Sequence, residues 1–239
     1  MKKLFIVGIG PGSREHMTLK AVEILKKVDT VVGYNYYIDL IRDLIEDKEI
    51  ISTGMRGEIE RCKLAIEAVK NGKDTAIIST GDAGIYGMAG PIYEMAKGID
   101  IEVVPGVTAA FSAASELGAP IMHDFAIISL SDLLTPWELI KSRIEAAAKS
   151  DFVISLYNPR SKNRQSQIVE AFEIISKYKD GNTPVGIVRH SGRKGREIKI
   201  STVKDIDFEE IDMMTVIIIG NKESFMRDGK IITPRGYDI

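Results

Sequence analysis

Cysteine is nearly absent: Cys62 is the single one in 239 residues. One cysteine closes no internal disulfide and builds no thiolate zinc site. Cys62 falls inside a helical pattern and reads as structural filler, and no protein metal site is expected. Long hydrophobic runs are also missing. No stretch approaches the roughly 18 apolar residues of a membrane span. Met1-Lys2-Lys3 does lead into an apolar run. Gly8, Gly10, Pro11 and Gly12 break that run after about six residues, short of a signal-peptide core. An excess of one charge is lacking too. Lys and Arg number 32 against 34 Asp and Glu, a formal net charge of -2. That balance gives no bulk attraction to nucleic acid or to an anionic membrane. The G-x-x-x-x-G-K-[ST] phosphate loop is absent, as are low-complexity segments and fixed-period repeats. On these absences a cytoplasmic globular protein is expected. Its composition, 44% hydrophobic and 28% charged, is ordinary for that class, and its length can bury a sizeable core.

What is present is an alternation of short apolar runs and amphipathic stretches. Leu4–Val7, Thr30–Gly33, Thr75–Ile78 and Ile101–Val104 read as buried strands. Thr18–Lys27, Gly57–Lys70, Ala89–Lys97 and an alanine-rich stretch to Leu117 read as helices. In Thr18–Lys27 the apolar face is Leu19, Val22 and Leu25; in Gly57–Lys70 it is Ile59, Cys62, Ile66 and Val69. Strands alternating with helices over residues 1–115 predict a parallel sheet. Gly118-Ala119-Pro120 breaks the pattern. The expected organisation is therefore an α/β domain over 1–117, a linker over 118–124, and a second α/β domain over 125–239. A cleft between two such domains is a common place for a small-molecule site. The second half offers strands at Phe125–Ser129, Asp151–Leu156, Pro184–Val188, Glu197–Thr202 and Thr215–Ile219. Helices are expected at Trp137–Ala148 and Gln165–Tyr178.

The stretch Ser79-Thr80-Gly81-Asp82-Ala83-Gly84-Ile85-Tyr86-Gly87 joins a predicted strand to a predicted helix. In open α/β sheets ligands bind beyond the carboxyl ends of the strands. Glycines there let backbone approach a ligand, and an ionised Asp82 adds an acceptor. A tight turn in which Asp82 caps the helix fits the same residues. The N-terminal Gly8-Ile9-Gly10-Pro11-Gly12 suggests a dinucleotide fingerprint. It departs from G-x-G-x-x-G at Ser13, and Pro11 removes a backbone donor. A Rossmann dinucleotide site is disfavoured.

Five segments then stand in one order: Val7-Gly8-Ile9-Gly10-Pro11-Gly12, Thr80-Gly81-Asp82 with Ile85, Pro105-Gly106-Val107-Thr108-Ala109-Ala110, Leu156-Tyr157-Asn158-Pro159, and Gly220-Asn221. Together they resemble the tetrapyrrole (uroporphyrinogen/precorrin) methyltransferase family over nearly the whole chain. Within that family the wording is most similar to the precorrin-3B / cobalt-factor III C17-methyltransferases of cobalamin biosynthesis. The segments concerned are Gly10–Thr18, Gly81–Ala89, His123-Asp124-Phe125, Ser129–Trp137 and Tyr157–Ser161. Ser13, and Ala83 after Asp82, depart from the uroporphyrinogen enzymes, which often carry Asp and Pro there.

The resemblance implies S-adenosyl-L-methionine as methyl donor, held in the interdomain cleft, and a homodimer. It implies donor-binding places at Pro11, Thr80, Gly81, Asp82, Ile85, Thr108, Ala109, Asn158 and Ser191. It also implies a tetrapyrrole substrate, precorrin-3B or cobalt-factor III, methylated at C17 with contraction of the ring and loss of C20 from it. Methyl transfer from a sulfonium needs alignment more than acid–base help. Contraction moves protons, and Asp132, His190 and His123, expected to face the cleft from strand ends, are the candidates for that work. Arg160, Lys162, Arg164, Arg189, Arg193, Lys194 and Arg196 fit the carboxylates of a corrinoid precursor; a solvated basic loop fits them equally. Any cobalt would belong to the substrate. The alternatives are a sibling enzyme acting at C11, C20 or C2, a sibling that makes diphthine on a protein, and a non-catalytic nucleotide-binding module. Thr135-Pro136-Trp137 argues against the diphthine sibling.

Overall fold

Aliphatic and β-branched runs build a sheet near the start of the chain. The computed structural model describes residues 2–238, which divide between Ala109 and Ala110 into two compact units. The first holds β1 (Lys3–Gly8), α1 (Leu19–Lys27), β2 (Thr30–Tyr34), α2 (Asn35–Leu40), β3 (Glu49–Thr53), α3 (Glu58–Lys70), β4 (Thr75–Ser79), α4 (Ala89–Met95) and β5 (Asp100–Val104). Its sheet has the order β3-β2-β4-β1-β5, and every pairing is parallel.

Successive side chains of a strand point to opposite faces, so β1 feeds two core layers. Val7 and Ile9 pack with Ala21 and Leu25 of α1 and Ile38 of α2. Leu4 and Ile6 pack with Cys62 and Ala65 of α3 and Ile92 of α4. Leu19 is 84% exposed, contrary to its expected place on the buried face. It is the first helical residue after Thr18, whose side chain caps the helix by accepting from Ala21 N. Ile59 is exposed for the same reason: it lies in the first turn of α3, and the buried stripe is Cys62, Ala65, Ala68 and Val69.

The second unit opens with α5 (Ala109–Leu117) at the boundary and β6 (Gly118–Ala119). There follow β7 (Phe125–Ser129), α6 (Trp137–Lys149), β8 (Val153–Tyr157), α7 (Gln167–Ile175), β9 (Pro184–Arg189), β10 (Glu197–Thr202), β11 (Thr215–Ile219), β12 (Phe225–Arg227) and β13 (Lys230–Ile232). The main sheet runs β10-β9-β11-β8-β7. β7 and β8 are parallel; β11 is antiparallel to both β8 and β9. Ile154, Leu156, Ile217 and Ile219 pack against Ile140 and Ile144 of α6 and Ile168 and Phe172 of α7. Residues 118–124 lie inside this unit rather than between two units. Gly118-Ala119-Pro120 ends the helix, but its backbone continues as β6, paired with β13, and Thr233 Oγ1 donates to Pro120 O at 2.6 Å.

Candidate active site

The carboxyl ends of β4, β1 and β5 are neighbours in the first sheet. The chain leaves β1 through α1 on one face and β4 through α4 on the other. Adjacent strands that diverge in this way mark the crevice where α/β sheets take ligands. The loops after these strands are pinned to one another by backbone. Gly81 N donates to Gly10 O at 2.7 Å and Gly10 N to Gly81 O at 3.1 Å. Gly8 and Gly106 cross beneath them. A Cβ on Gly106 would lie 2.2 Å from Gly81 O, and one on Gly8 would lie 2.7 Å from Gly106 N. Only glycine allows this approach. Gly81 and Gly10 add positive φ, +68° and +71°.

Asp82 holds the arrangement together. Its Oδ1 accepts from Gly84 N at 2.8 Å and its Oδ2 from Gly106 N at 2.9 Å. The carboxylate thus joins the β4 loop to the β5 loop, and α4 begins later, at Ala89. Sequence reasoning offered Asp82 either as a ligand acceptor or as a helix cap. Here it shapes the loop that a ligand would meet. Pro11 is buried after Gly10, Thr80 precedes Gly81 half-buried, and Ile85 is half-buried in the same loop. Thr108 is 3% exposed, and a Cβ on Gly81 would sit 3.6 Å from its Cα and 3.7 Å from Ala109 N. Pro11, Thr80, Gly81, Asp82, Thr108 and Ala109 therefore stand around one set of strand ends, with Ile85 in the same loop. The surface combines backbone polar groups with small apolar side chains.

In the second unit β7, β8 and β9 point the same way, and their carboxyl ends carry Asp132, Asn158 and His190. Asn158 has φ +51°. Its Nδ2 donates to Ser129 Oγ at 2.9 Å, and its carbonyl accepts from Arg164 Nη2 at 2.7 Å. Arg164 is buried, and burial lowers its pKa. Asp132 lies 4.0 Å from Arg164 Nη1 and accepts from Gln167 Nε2 at 2.8 Å. These bonds make Asp132 part of the scaffold. His190 has φ +52°. Its N donates to Met214 O at 3.0 Å and its O accepts from Arg193 N at 2.9 Å. Its half-buried imidazole has no hydrogen bond among the described residues.

His123 is not with them. It precedes β7, at the opposite edge of the sheet, exposed, with Nδ1 accepting from its neighbour Asp124 N at 2.9 Å. The expectation that it shares the strand ends of Asp132 and His190 is corrected by the direction of β7. Ser191, the remaining candidate, is buried. It shares a 2.6 Å hydrogen bond with Ser112 Oγ and donates to Glu116 Oε1 at 3.1 Å.

The basic residues sort by partner. Arg189 Nε donates to Asp212 Oδ2 at 2.8 Å. Burial alone would raise Asp212, but bonds from Arg189, Met214 N and Thr215 hold its pKa below the usual value. Arg160 is spent on the Phe208 and Glu209 carbonyls. Lys162 and Lys194 are exposed. Among the described residues no group of three His, Cys, Asp or Glu could hold a metal ion, and no helix is long and apolar enough to cross a membrane. Sequence reasoning named Gly8 and Tyr157 only within motifs, and it passed over Asp212 and Glu116. Tyr157 OH accepts from Ala110 N at 2.6 Å. Glu116 carried a signal, being the only charged residue of α5.

Residues 3–207 match the family model of tetrapyrrole (corrin/porphyrin) methylases. The chain belongs to that family. Among curated tetrapyrrole methylases it is 50% identical to a probable cobalt-factor III C(17)-methyltransferase of Salmonella typhimurium, over 99% of this chain and 100% of that one. It is 37% identical to a precorrin-3B C(17)-methyltransferase of Sinorhizobium sp, over 98% of this chain and 96% of the relative. Among solved structures, the methyltransferase CobJ superposes with a TM-score of 0.92 at 31% identity, covering 98% of this chain and all of that one. The two-unit α/β fold of this chain is therefore that of a tetrapyrrole methyltransferase.

Proposed function

We propose that the protein transfers a methyl group from S-adenosylmethionine to C17 of cobalt-factor III and contracts the macrocycle, giving cobalt-precorrin-4. The observation that carries this is the end-to-end likeness to the Salmonella relative at 50% identity. The lower 37% identity to the Sinorhizobium relative named for precorrin-3B favours the cobalt-bearing substrate over the metal-free one. We place the enzyme in the cytoplasm as a homodimer.

When bound, S-adenosylmethionine supplies a methyl group on a positively charged sulfur that leaves as a neutral thioether. No acid is needed for that step, so the chain's contribution is alignment, which can be worth about 7–11 kcal/mol. Gly8, Gly10, Gly81 and Gly106 provide the close-packed backbone on which the donor rests, and Asp82 fixes its shape. Ile85 and Ala109 offer apolar contact to an aromatic base. Contraction needs a proton carrier. His190 fits best, because its imidazole is not tied to a neighbour, whereas Asp132 is bonded to Gln167 and faces Arg164. Such a group typically contributes about 10²–10⁴-fold. Lys162 and Lys194 are the cations left to meet substrate carboxylates.

The test is an anaerobic incubation of the purified protein with S-adenosylmethionine and cobalt-factor III, read by mass and absorbance spectra. One added methyl with the spectral change of contraction supports the proposal. One methyl without contraction moves the attack to another carbon. Donor binding without methylation of any tetrapyrrole makes the chain a nucleotide-binding module and sinks it.

A further inference from the structure

Glu116 lies in the last turn of α5, in a helix otherwise made of small and apolar residues. Its side chain is 9% exposed. Oε1 accepts from Ser191 Oγ and from Gly192 N, each at 3.1 Å. Ser112, one turn earlier on α5, hydrogen-bonds the same Ser191 hydroxyl. Oε2 is buried with no hydrogen bond, and Arg196 Nε stands 3.7 Å from it. Glu116 thus touches both limbs of the loop that joins β9 to β10. Ser191 and Gly192 lie on the outgoing limb and Arg196 on the returning one. That loop contains Gly192 at φ +65° and Gly195 at φ +78°, two positions where the backbone turns freely. It also carries His190 and Lys194.

A buried carboxylate is a poor device for stability alone, since burying the charge costs about as much as its pairing returns. A group that fixes a glycine-containing loop at two points has a different use. We infer that Glu116 is a positioning residue: it locks the His190–Arg196 loop so that the His190 imidazole and Lys194 are presented to the tetrapyrrole in one geometry. The inference rests on the methyltransferase reading given above. It acts through His190 and touches no reacting atom itself.

Glu116→Gln keeps the shape and one acceptor for Ser191 and Gly192 but removes the charge that faces Arg196. Glu116→Ala removes every bond. Two readouts separate this from a structural role. The first is hydrogen exchange of the amides of residues 190–196, which needs no substrate. Glu116→Ala is expected to speed it at least about tenfold, while exchange in β9 and β11 is unchanged; about 1.4 kcal/mol corresponds to tenfold. The second is steady-state kinetics with cobalt-factor III. Misplacement of a reacting group by about 1 Å can cost about 10²-fold. Glu116→Ala is therefore expected to lower kcat for the contracted product at least about tenfold and to shift the pH–rate profile, with S-adenosylmethionine affinity within about twofold of wild type, and Glu116→Gln, which keeps the Oε1 acceptor, should lose less. Glu116→Asp should restore part of the loss.

Unchanged exchange in the loop overturns the inference whatever the kinetics show. Wild-type kcat, KM and pH profile in a folded Glu116→Ala overturn it as well. If the wild-type protein methylates no tetrapyrrole, the functional reading and the kinetic half of the inference fall together, and the exchange result still reports on the lock. If Glu116→Ala does not fold, Ser191→Ala, which removes one of the two bonds to Oε1, carries the exchange test.

Discussion

Gly106→Ala adds one methyl group at the tightest point of the first unit. Its Cβ would stand 2.2 Å from Gly81 O and 2.8 Å from both the carbonyl carbon and oxygen of Gly8. All three are backbone atoms, so no side chain can swing away. Ordinary C···O contacts begin at about 3.3 Å, so the loops after β1, β4 and β5 must part by about 1 Å. That movement stretches the 2.9 Å bond from Gly106 N to Asp82. Overpacking of this kind costs about 1–3 kcal/mol of stability. If the donor rests on this backbone, its affinity should fall at least about tenfold, or about 1.4 kcal/mol. Gly90→Ala is the control. It lies in α4 with nothing within 4 Å of its Cβ position, so alanine there should stabilise by up to about 1 kcal/mol and leave donor binding alone. Calorimetric titration with S-adenosylmethionine and urea unfolding of both variants give the answer. A folded Gly106→Ala that binds the donor with wild-type affinity would refute the argument that these strand ends form the donor floor.

Asp82→Ala strands Gly106 N without its acceptor, at about 1–3 kcal/mol; calorimetry should show a several-fold weaker donor affinity, and an unchanged value removes the donor assignment. Asp212 has a lowered pKa, so its stabilisation is present above the unfolded carboxylate's pKa and is lost as pH falls through the folded one. Asp212→Asn should therefore be the less stable protein at pH 7 by under about 1 kcal/mol, because the pair with Arg189 is partly exposed. The gap should close in urea titrations run in acid; a gap that persists there contradicts the assignment. Burial pushes the Cys62 thiol up to about 11, so a thiol reagent at pH 8 should label native protein far more slowly than urea-unfolded protein.

The strands were legible because their residues leave little choice: Leu4–Val7 is apolar throughout, Thr75–Ile78 and Thr215–Ile219 are apolar after a leading threonine, and each is a strand or the greater part of one. The chemistry at the ends of β1, β4 and β5 was legible as glycines and Asp82. What Asp82 bonds to was not, because Gly106 is 24 residues away and the contact is made by fold, not by spacing. β3 was missed since Glu49–Thr53 starts with a charge and lies on the sheet edge. α2 was missed since its six residues are too few to show a helical period. Its Tyr37 packs on Tyr34, the rings 5.1 Å apart at 83°. His123 was misplaced although chain order alone puts it before Phe125, at the amino end of β7. Glu116 bonds residues 75 and 76 positions along the chain, and Asp212 pairs with Arg189 23 positions back, so neither partner is readable from spacing.

The placement of β11 separates the two sheets in a way that bears on change over time. In the first, the carboxyl ends of β4, β1 and β5 lie side by side, and the loops beyond them cross so closely that Gly8 and Gly106 leave no space for a Cβ. In the second, β11 runs in reverse between β8 and β9, so their carboxyl ends are held about two spacings apart. Full-sized side chains such as Asn158 and His190 occupy the ends there. A substitution at that edge alters shape and charge with no backbone crossing to part, its one constraint being the positive φ of Asn158 and His190. Selection or a designer can therefore vary one half of the chain side chain by side chain, while the glycine crossing in the other half admits almost no variation at all.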